Sequence, residues 1–218
     1  MPISEAPVSE GSDYTAALDA FRARHVRSDG KAGLVEAYRA VQAIPYRSVA
    51  DRRPLTALVN NEGACTAKHL ILRDLLRRMG HDAVIELVEG DFAAGMPVAG
   101  SMPDALKAMI REAGVIDLHC RVRLQGPDGP QRLDATFPRP MSRLGFTVDE
   151  DWAGDGDTRQ AIATVTVRAE DEDVLAVKAE KLAGFSEAMT QRRLTFLALF
   201  TRWLAEAEKD GPEPAPGA

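Results

Sequence analysis

Asn60-Asn61-Glu62-Gly63-Ala64-Cys65-Thr66-Ala67-Lys68-His69-Leu70, running on as ILRDLLRRMG to Gly80, is the stretch whose reading decides the fold. Polar and glycine residues give way at Cys65 to a helical pattern in which Ala67, Ile71, Leu75 and Met79 recur every fourth residue, with Leu72 and Leu76 widening the stripe. Gly80 is a natural stop, since helices commonly end on a left-handed residue that only glycine adopts without strain. The pattern predicts a largely buried helix with Cys65 in its first turn. Unpaired backbone N–H groups and the positive end of the helix dipole favour a thiolate there. Free cysteine is also a common small core residue, so a chemical role for this sulfur depends on what partners the rest of the chain supplies.

The 218 residues are 45% hydrophobic and 28% charged, enough to close one sizeable core, and the expected organisation is a single domain over 13–209 between disordered segments 1–12 and 210–218. A formal net charge of −6 without any long basic run argues against nucleic acid or an anionic membrane as partner. No apolar window approaches a membrane span, and the opening MPISEAPVSEGSDY lacks a hydrophobic signal core, so a cytoplasmic location is expected. Cys65 and Cys120 are the only cysteines, too few for a disulfide framework or a four-cysteine zinc site, and both are expected as free thiols.

Working outward towards the N-terminus, Tyr14, Ala17, Leu18 and Phe21 mark one side of a helix starting near Asp13, with His25 close to its end. A second helix over about Ala32 to Ala43 turns Leu34, Val35, Tyr38 and Val41 inward. Arg47 to Val59 reads as irregular connection because of Pro54. Beyond Gly80, Asp82 to Val88 is a strand. Gly90 to Ser101 and the short helix after Pro103, with Leu106, Met109 and Ile110 inward, read as an inserted flap or lid. AIATVTVRA is a further strand, EDEDV a charged turn, and Ala183 to Lys209 a long helix whose apolar side holds Phe185, Met189, Phe196, Leu199, Phe200 and Trp203.

The second informative stretch is VIDLHCRVRLQGPDGPQRLDATFPRP, two alternating arms around the turn chemistry of Gly126-Pro127-Asp128-Gly129. It predicts a hairpin with Leu118, Cys120, Val122 and Leu124 on one face and Asp117, His119, Arg121 and Arg123 on the other. With the turn centred on Pro127-Asp128, His119 lies nearly opposite Thr136 and diagonal to Asp134. Such diagonal neighbours are about 7–8 Å apart at the backbone, a gap that His and Asp side chains can close.

A cysteine nucleophile needs a base to hold it as a thiolate, and the base needs a carboxylate to fix its tautomer. Cys65, His119 and Asp134 meet that requirement in composition, chain order and facing. The same order, carried by GACTAKHLILRDLLRRMGHDAVI, HCRVRL and RLDAT, resembles the transglutaminase-like superfamily of papain-like cysteine enzymes, in its bacterial type. Thr66 stands where the calcium-dependent animal branch has tryptophan, and the tryptophan usual before the Leu-Asp pair is replaced by Gln131-Arg132. The resemblance implies an α+β fold with a transglutaminase-like/papain-like core, in which the cysteine-bearing helix packs on an antiparallel β-sheet between flanking N- and C-terminal helices. It also implies thiolate attack on a peptide, amide or related acyl substrate, a thioester intermediate, and transfer of the acyl group to water or an amine without any cofactor. Cys65 would be the nucleophile, His119 the base and Asp134 its orienter. The oxyanion would meet the Cys65 N–H, with Gln42, Tyr46, Asn60 and Asn61 as side-chain contributors among which the sequence does not choose. A degenerate peptide-binding module and a small-molecule acyltransferase are the alternatives.

His69, four residues after Cys65, competes for the role of base but has no carboxylate at hairpin spacing. Lys68 reads as part of a solvated helix face and Cys120 as a buried, inert thiol. The clusters Asp149-Glu150-Asp151 and Glu170-Asp171-Glu172-Asp173 lack the glycine and terminal glutamate of a calcium loop, so no metal is expected.

Overall fold

The computed structural model describes residues 10–126, 129–162, 165–170 and 173–207. In chain order it comprises helices α1 (Glu10–His25), α2 (Gly30–Ala43), α3 (Pro54–Asn60) and α4 (Cys65–Arg78), strand β1 (Ala83–Asp91), helix α5 (Asp104–Glu112), strands β2 (Ile116–Gly126) and β3 (Gly129–Leu133), a 3-10 turn (Arg139–Leu144), strand β4 (Val165–Glu170), and helices α6 (Val174–Ala183) and α7 (Glu187–Ala207). The strands form one antiparallel sheet in the order β3-β2-β1-β4, so the chain mixes helix and sheet as expected.

The decisive helix, α4, starts at Cys65, and every residue from Cys65 to Arg73 is buried, as are Leu75 and Leu76. It is buried all round, more than its two-sided pattern predicts, because it is packed from both sides. Leu18 and Phe21 of α1 and Leu34, Tyr38 and Val41 of α2 belong to one core cluster with its leucines. Ile85, Leu87, Leu118, Cys120, Val122 and Leu124 of the sheet join the same cluster. Gly80 follows with φ +85, the left-handed stop that its sequence position predicts.

The β2–β3 pairing runs from Gly126 opposite Gly129 to Val122 opposite Leu133, the register of a turn centred on residues 127 and 128; those two residues lie outside the described set. The expectations for segments 1–9 and 208–218 also fall outside it.

Several local expectations are corrected. Pro54 does not exclude helix; it opens α3 at the first helical turn, where its missing N–H costs nothing. Residues 90–115 are not a loose flap. The Asp91 carboxylate closes their neck by accepting from the N–H groups of Ala93, Ala94, Gly114 and Val115. Their apolar side chains Phe92, Met102, Leu106 and Ile110 enter a second core with Phe137, Phe146, Phe196, Phe200 and Trp203. The expected C-terminal helix is α7, which begins at Glu187 rather than Ala183, and the segment before it forms a further helix, α6, with Gly184-Phe185-Ser186 between the two. Met189, expected inside, is 38% exposed, while Arg193 and Leu197 are buried. Among the described residues, no helix is long and apolar enough to cross a membrane.

Tyr46 joins the second core to the start of α4. Its ring lies 5.6 Å from that of Phe137 and 5.9 Å from that of Phe200. Its backbone forms a parallel bridge with Gly63, through Arg47 N–H to Gly63 O and Gly63 N–H to Pro45 O. A Cβ at Gly63 would meet the Ala57 Cβ at 3.0 Å, so this close approach depends on glycine.

Candidate active site

The site forms where β3 parts from β2. Pairing stops at Leu133, and the next residues bond to helices instead. Tyr38 Oη donates to Asp134 O at 3.0 Å, and Ala135 N–H donates to His69 Nε2 at 2.8 Å. Lys68 Nζ donates to the carbonyls of Thr136 (2.8 Å), Ile44 (2.6 Å) and Gln42 (3.2 Å). Lys68 is therefore buried and bound to three carbonyls rather than solvated, a correction to its sequence reading. The first turn of α4 faces the edge of β2 that β3 has left, and the Cys120 backbone N–H hydrogen bonds to Cys65.

His119, at 2% exposure, gives Nε2 to Asp134 Oδ2 at 2.7 Å. Asp134 is itself fixed by backbone donors. Its Oδ2 also accepts from Ala161 N–H at 2.9 Å, its Oδ1 accepts from Thr136 N–H at 3.0 Å, and its own N–H donates to Thr158 Oγ1 at 2.7 Å. With Nε2 occupied, Nδ1 is the nitrogen left for Cys65. It is buried and makes no hydrogen bond of good geometry among the described residues. The two groups are nonetheless close enough to shift each other's proton equilibria, and looseness of this kind is common in unliganded sites.

The electrostatics follow from these contacts. Burial opposes charge on Cys65, but the Lys178 ammonium, His119 and the Cys120 N–H outweigh it and hold the thiol well below its ordinary value. Burial likewise pulls His119 down, yet the Asp134 carboxylate and Cys65 push it up to about 10. Asp134, despite burial, is held well below the usual carboxylate range, chiefly by His119. These directions favour the charged form of each group: a thiolate, an imidazolium and a carboxylate. Cys120 behaves differently: burial pushes its thiol up to about 11, and it donates to Thr66 Oγ1 at 3.5 Å.

No protein-family model and no curated protein matches the chain. Among solved structures, one described as a crystal structure of a TGase overlaps it with a TM-score of 0.37 at 9% identity, over 62% of this chain and 35% of that one, so the overlap takes in about a third of that protein's length.

The remaining residues singled out by sequence divide clearly. His69 Nδ1 donates to Cys65 O at 2.8 Å while Nε2 accepts from Ala135, which fixes a neutral tautomer with neither nitrogen left for the sulfur. Gln42 is committed elsewhere, its Nε2 donating to Asp149 O at 3.0 Å. Asn60 and Asn61 end α3 on the surface, Asn61 in the left-handed region at φ 51, and are not brought to the site. Tyr46 is kept as a neutral phenol by burial and by the charge of Cys65 beside it. His69, His119 and Asp134 lie close enough to share a metal ion, but their ligand atoms already bond to one another or to backbone groups. They fit a hydrogen-bonded set better than a metal cage.

Sequence reasoning missed Lys178. It is 3% exposed, and its Nζ lies 3.1 Å from Thr66 Oγ1 and 4.0 Å from Cys65 Sγ. The available signal is Val174-Lys178-Leu182, a lysine on the i, i+4, i+8 stripe of a helix whose first residue falls in the expected charged turn and whose residues 175–182 carry no sequence assignment.

Proposed function

We propose that this chain is a cysteine-dependent hydrolase or acyltransferase acting on a peptide, amide or related acyl substrate, with Cys65 as nucleophile, His119 as base and acid, and Asp134 as orienter. The observation that carries this reading is the division of labour on the His119 ring. Nε2 is locked to a carboxylate held by two backbone N–H groups, which leaves Nδ1 for a sulfur at a helix start.

In this reading the Cys65 thiolate attacks the acyl carbon, a C–S bond forms, and the carbonyl π pair moves to oxygen. When that intermediate collapses, the leaving group takes the His119 proton and a thioester remains. Water or an amine then attacks the thioester, gives its proton to His119, and the sulfur leaves as thiolate. Cys65 N–H, at the first turn of α4, and the Tyr46 phenol are the donors available for the oxyanion. A surface depression lined by Gln42, Asp134, Phe137, Asp149 and Arg159 reaches the carboxylate side of the triad. It supports an approach between residues 147–161 and the chain at Gln42, Asp134 and Phe137.

One observation favours the second reading, an interaction module without turnover. Cys65, His119 and Asp134 are only 4%, 2% and 5% exposed, so substrate access requires local opening. Alkylation separates the two readings. A catalytic Cys65 reacts with iodoacetamide at neutral pH faster than a model thiol, and His119→Ala slows the reaction. Equal sluggishness in both proteins overturns the enzyme reading.

A further inference from the structure

A thiolate–imidazolium pair needs one cation, and this site has two. The second comes from α6, whose inward face carries Val174, 1% exposed, and one turn later Lys178. A lysine on an otherwise apolar stripe is expensive to bury and stays buried when an anion or several acceptors meet it. Here Thr66 Oγ1 accepts from its ammonium at 3.1 Å, and among the described residues its other close partner is the Cys65 sulfur at 4.0 Å.

Resting on the reading of Cys65 as nucleophile, we propose that Lys178 is a further catalytic cation of this site: its ammonium is a resident counter-ion of the Cys65 sulfur and remains there whatever the protonation of His119. In this role Lys178 transfers no proton, and His119 alone exchanges protons with leaving group and acceptor. The division has a chemical use. After acylation His119 is neutral and free to take the acceptor's proton, while the Lys178 charge stays beside the sulfur. The fixed ammonium then favours departure of Cys65 as thiolate in the deacylation step.

The charged and titratable groups around the sulfur fit that assignment. From β2 come His119, turned to Asp134, and Cys120, whose thiol bonds to Thr66. From the chain after α2 comes Tyr46, a neutral phenol. On α4 itself, His69 is neutral and bonded to Cys65 O, and Lys68 is directed to the carbonyls of Gln42, Ile44 and Thr136. Beyond Tyr46 lies the Asp117–Arg193 ion pair, which is neutral as a pair. Thr66 fits as well, since its hydroxyl accepts from Lys178 and Cys120 and lies 4.0 Å from Cys65 Sγ, free to direct its own proton at the sulfur. Burial and Lys178 head the influences on the Cys65 thiol, ahead of His119.

The test is a pH titration of thiolate absorbance in the far ultraviolet, recorded as the difference from Cys65→Ser, which needs no reagent to reach the sulfur. Wild type is expected to show thiolate at neutral pH. Lys178→Met loses most of that signal there and titrates at higher pH, whereas Lys178→Arg retains it. His119→Ala keeps part of the signal, and His119→Ala/Lys178→Met titrates as an ordinary cysteine. Far-UV circular dichroism checks that each variant is folded, and Lys178→Gln replaces the methionine variant if that one is not. Wild type and folded Lys178→Met or Lys178→Gln titrating alike at low pH overturns the role of Lys178 and leaves the nucleophile reading standing. Wild type titrating in the ordinary cysteine range overturns the nucleophile reading and this inference with it.

Discussion

Replacing Asp134 by Asn tests the geometry of the site with a nearly isosteric change. The carboxylate accepts at both oxygens, Oδ2 from His119 Nε2 and Ala161 N–H and Oδ1 from Thr136 N–H. An amide can place its oxygen towards His119 and Ala161 only by turning its NH2 against Thr136 N–H, and the opposite flip leaves Ala161 facing a donor. Either way a buried backbone N–H loses its acceptor, a cost of about 1–3 kcal/mol, and the bond to His119 loses its charge assistance, roughly another 1 kcal/mol. The expected destabilisation is about 2–4 kcal/mol, which in a domain of this size lowers Tm by about 5–15 °C. Thermal unfolding followed by circular dichroism measures this cost. The His119 ring-proton NMR shifts followed against pH should show the alkaline end of the thiolate–imidazolium state moving down, because His119 sits at about 10 largely through Asp134. A variant destabilised by less than about 1 kcal/mol with an unchanged titration would refute the claim that this carboxylate anchors the ring.

Three further outcomes follow from the same contacts. Lys68→Met strands the carbonyls of Gln42, Ile44 and Thr136 and should cost at least about 3 kcal/mol in urea denaturation while leaving Cys65 ionised. His69→Ala removes the acceptor of Ala135 N–H and the donor to Cys65 O, with an expected cost of about 2–4 kcal/mol; a persisting neutral-pH thiolate signal distinguishes it from His119→Ala. Stability against pH should be flat across the neutral range. His119, raised from 6.5 to about 10, contributes stability that is complete below 6.5 and lost as pH rises through about 10, while Cys65, lowered from 9.0, contributes stability present above 9.0 and lost as pH falls through its folded value. The two slopes cancel between 6.5 and 9.0, so Cys65→Ser, which leaves the Asp134 bond to His119, should uncover a decline with rising pH that chemical denaturation at several pH values detects.

Much of this was legible from pattern. The i, i+4 repeat from Ala67 to Met79 and the left-handed stop at Gly80 define α4. The Gly126-Pro127-Asp128-Gly129 turn chemistry predicts the hairpin register as far as Val122 opposite Leu133, beyond which β3 parts from β2 and Asp134 meets His119 outside the ladder. What escaped depends on tertiary partners. The burial of Lys68 could not be read from its own helix, because the three carbonyls that accept from it belong to segments far away in sequence. Lys178 was hidden because α6 is short and follows an acidic run that reads as turn, and because a lysine on an apolar stripe makes sense only when the sulfur it meets is known. The insertion read as a flap because its glycines and small residues dominate locally, while the aromatic side chains that pin it lie on α7, about a hundred residues later.

The most direct measurement of the central claim is capture of the acyl-enzyme. The protein is incubated with activated aryl esters and short peptide thioesters, quenched in acid, and analysed by intact mass and peptide mapping. The account predicts one acyl group on Cys65, released by hydroxylamine, reduced in His119→Ala and absent in Cys65→Ser. An acyl group mapped to another residue, or none on a protein whose Cys65 is shown to be a thiolate, would contradict it.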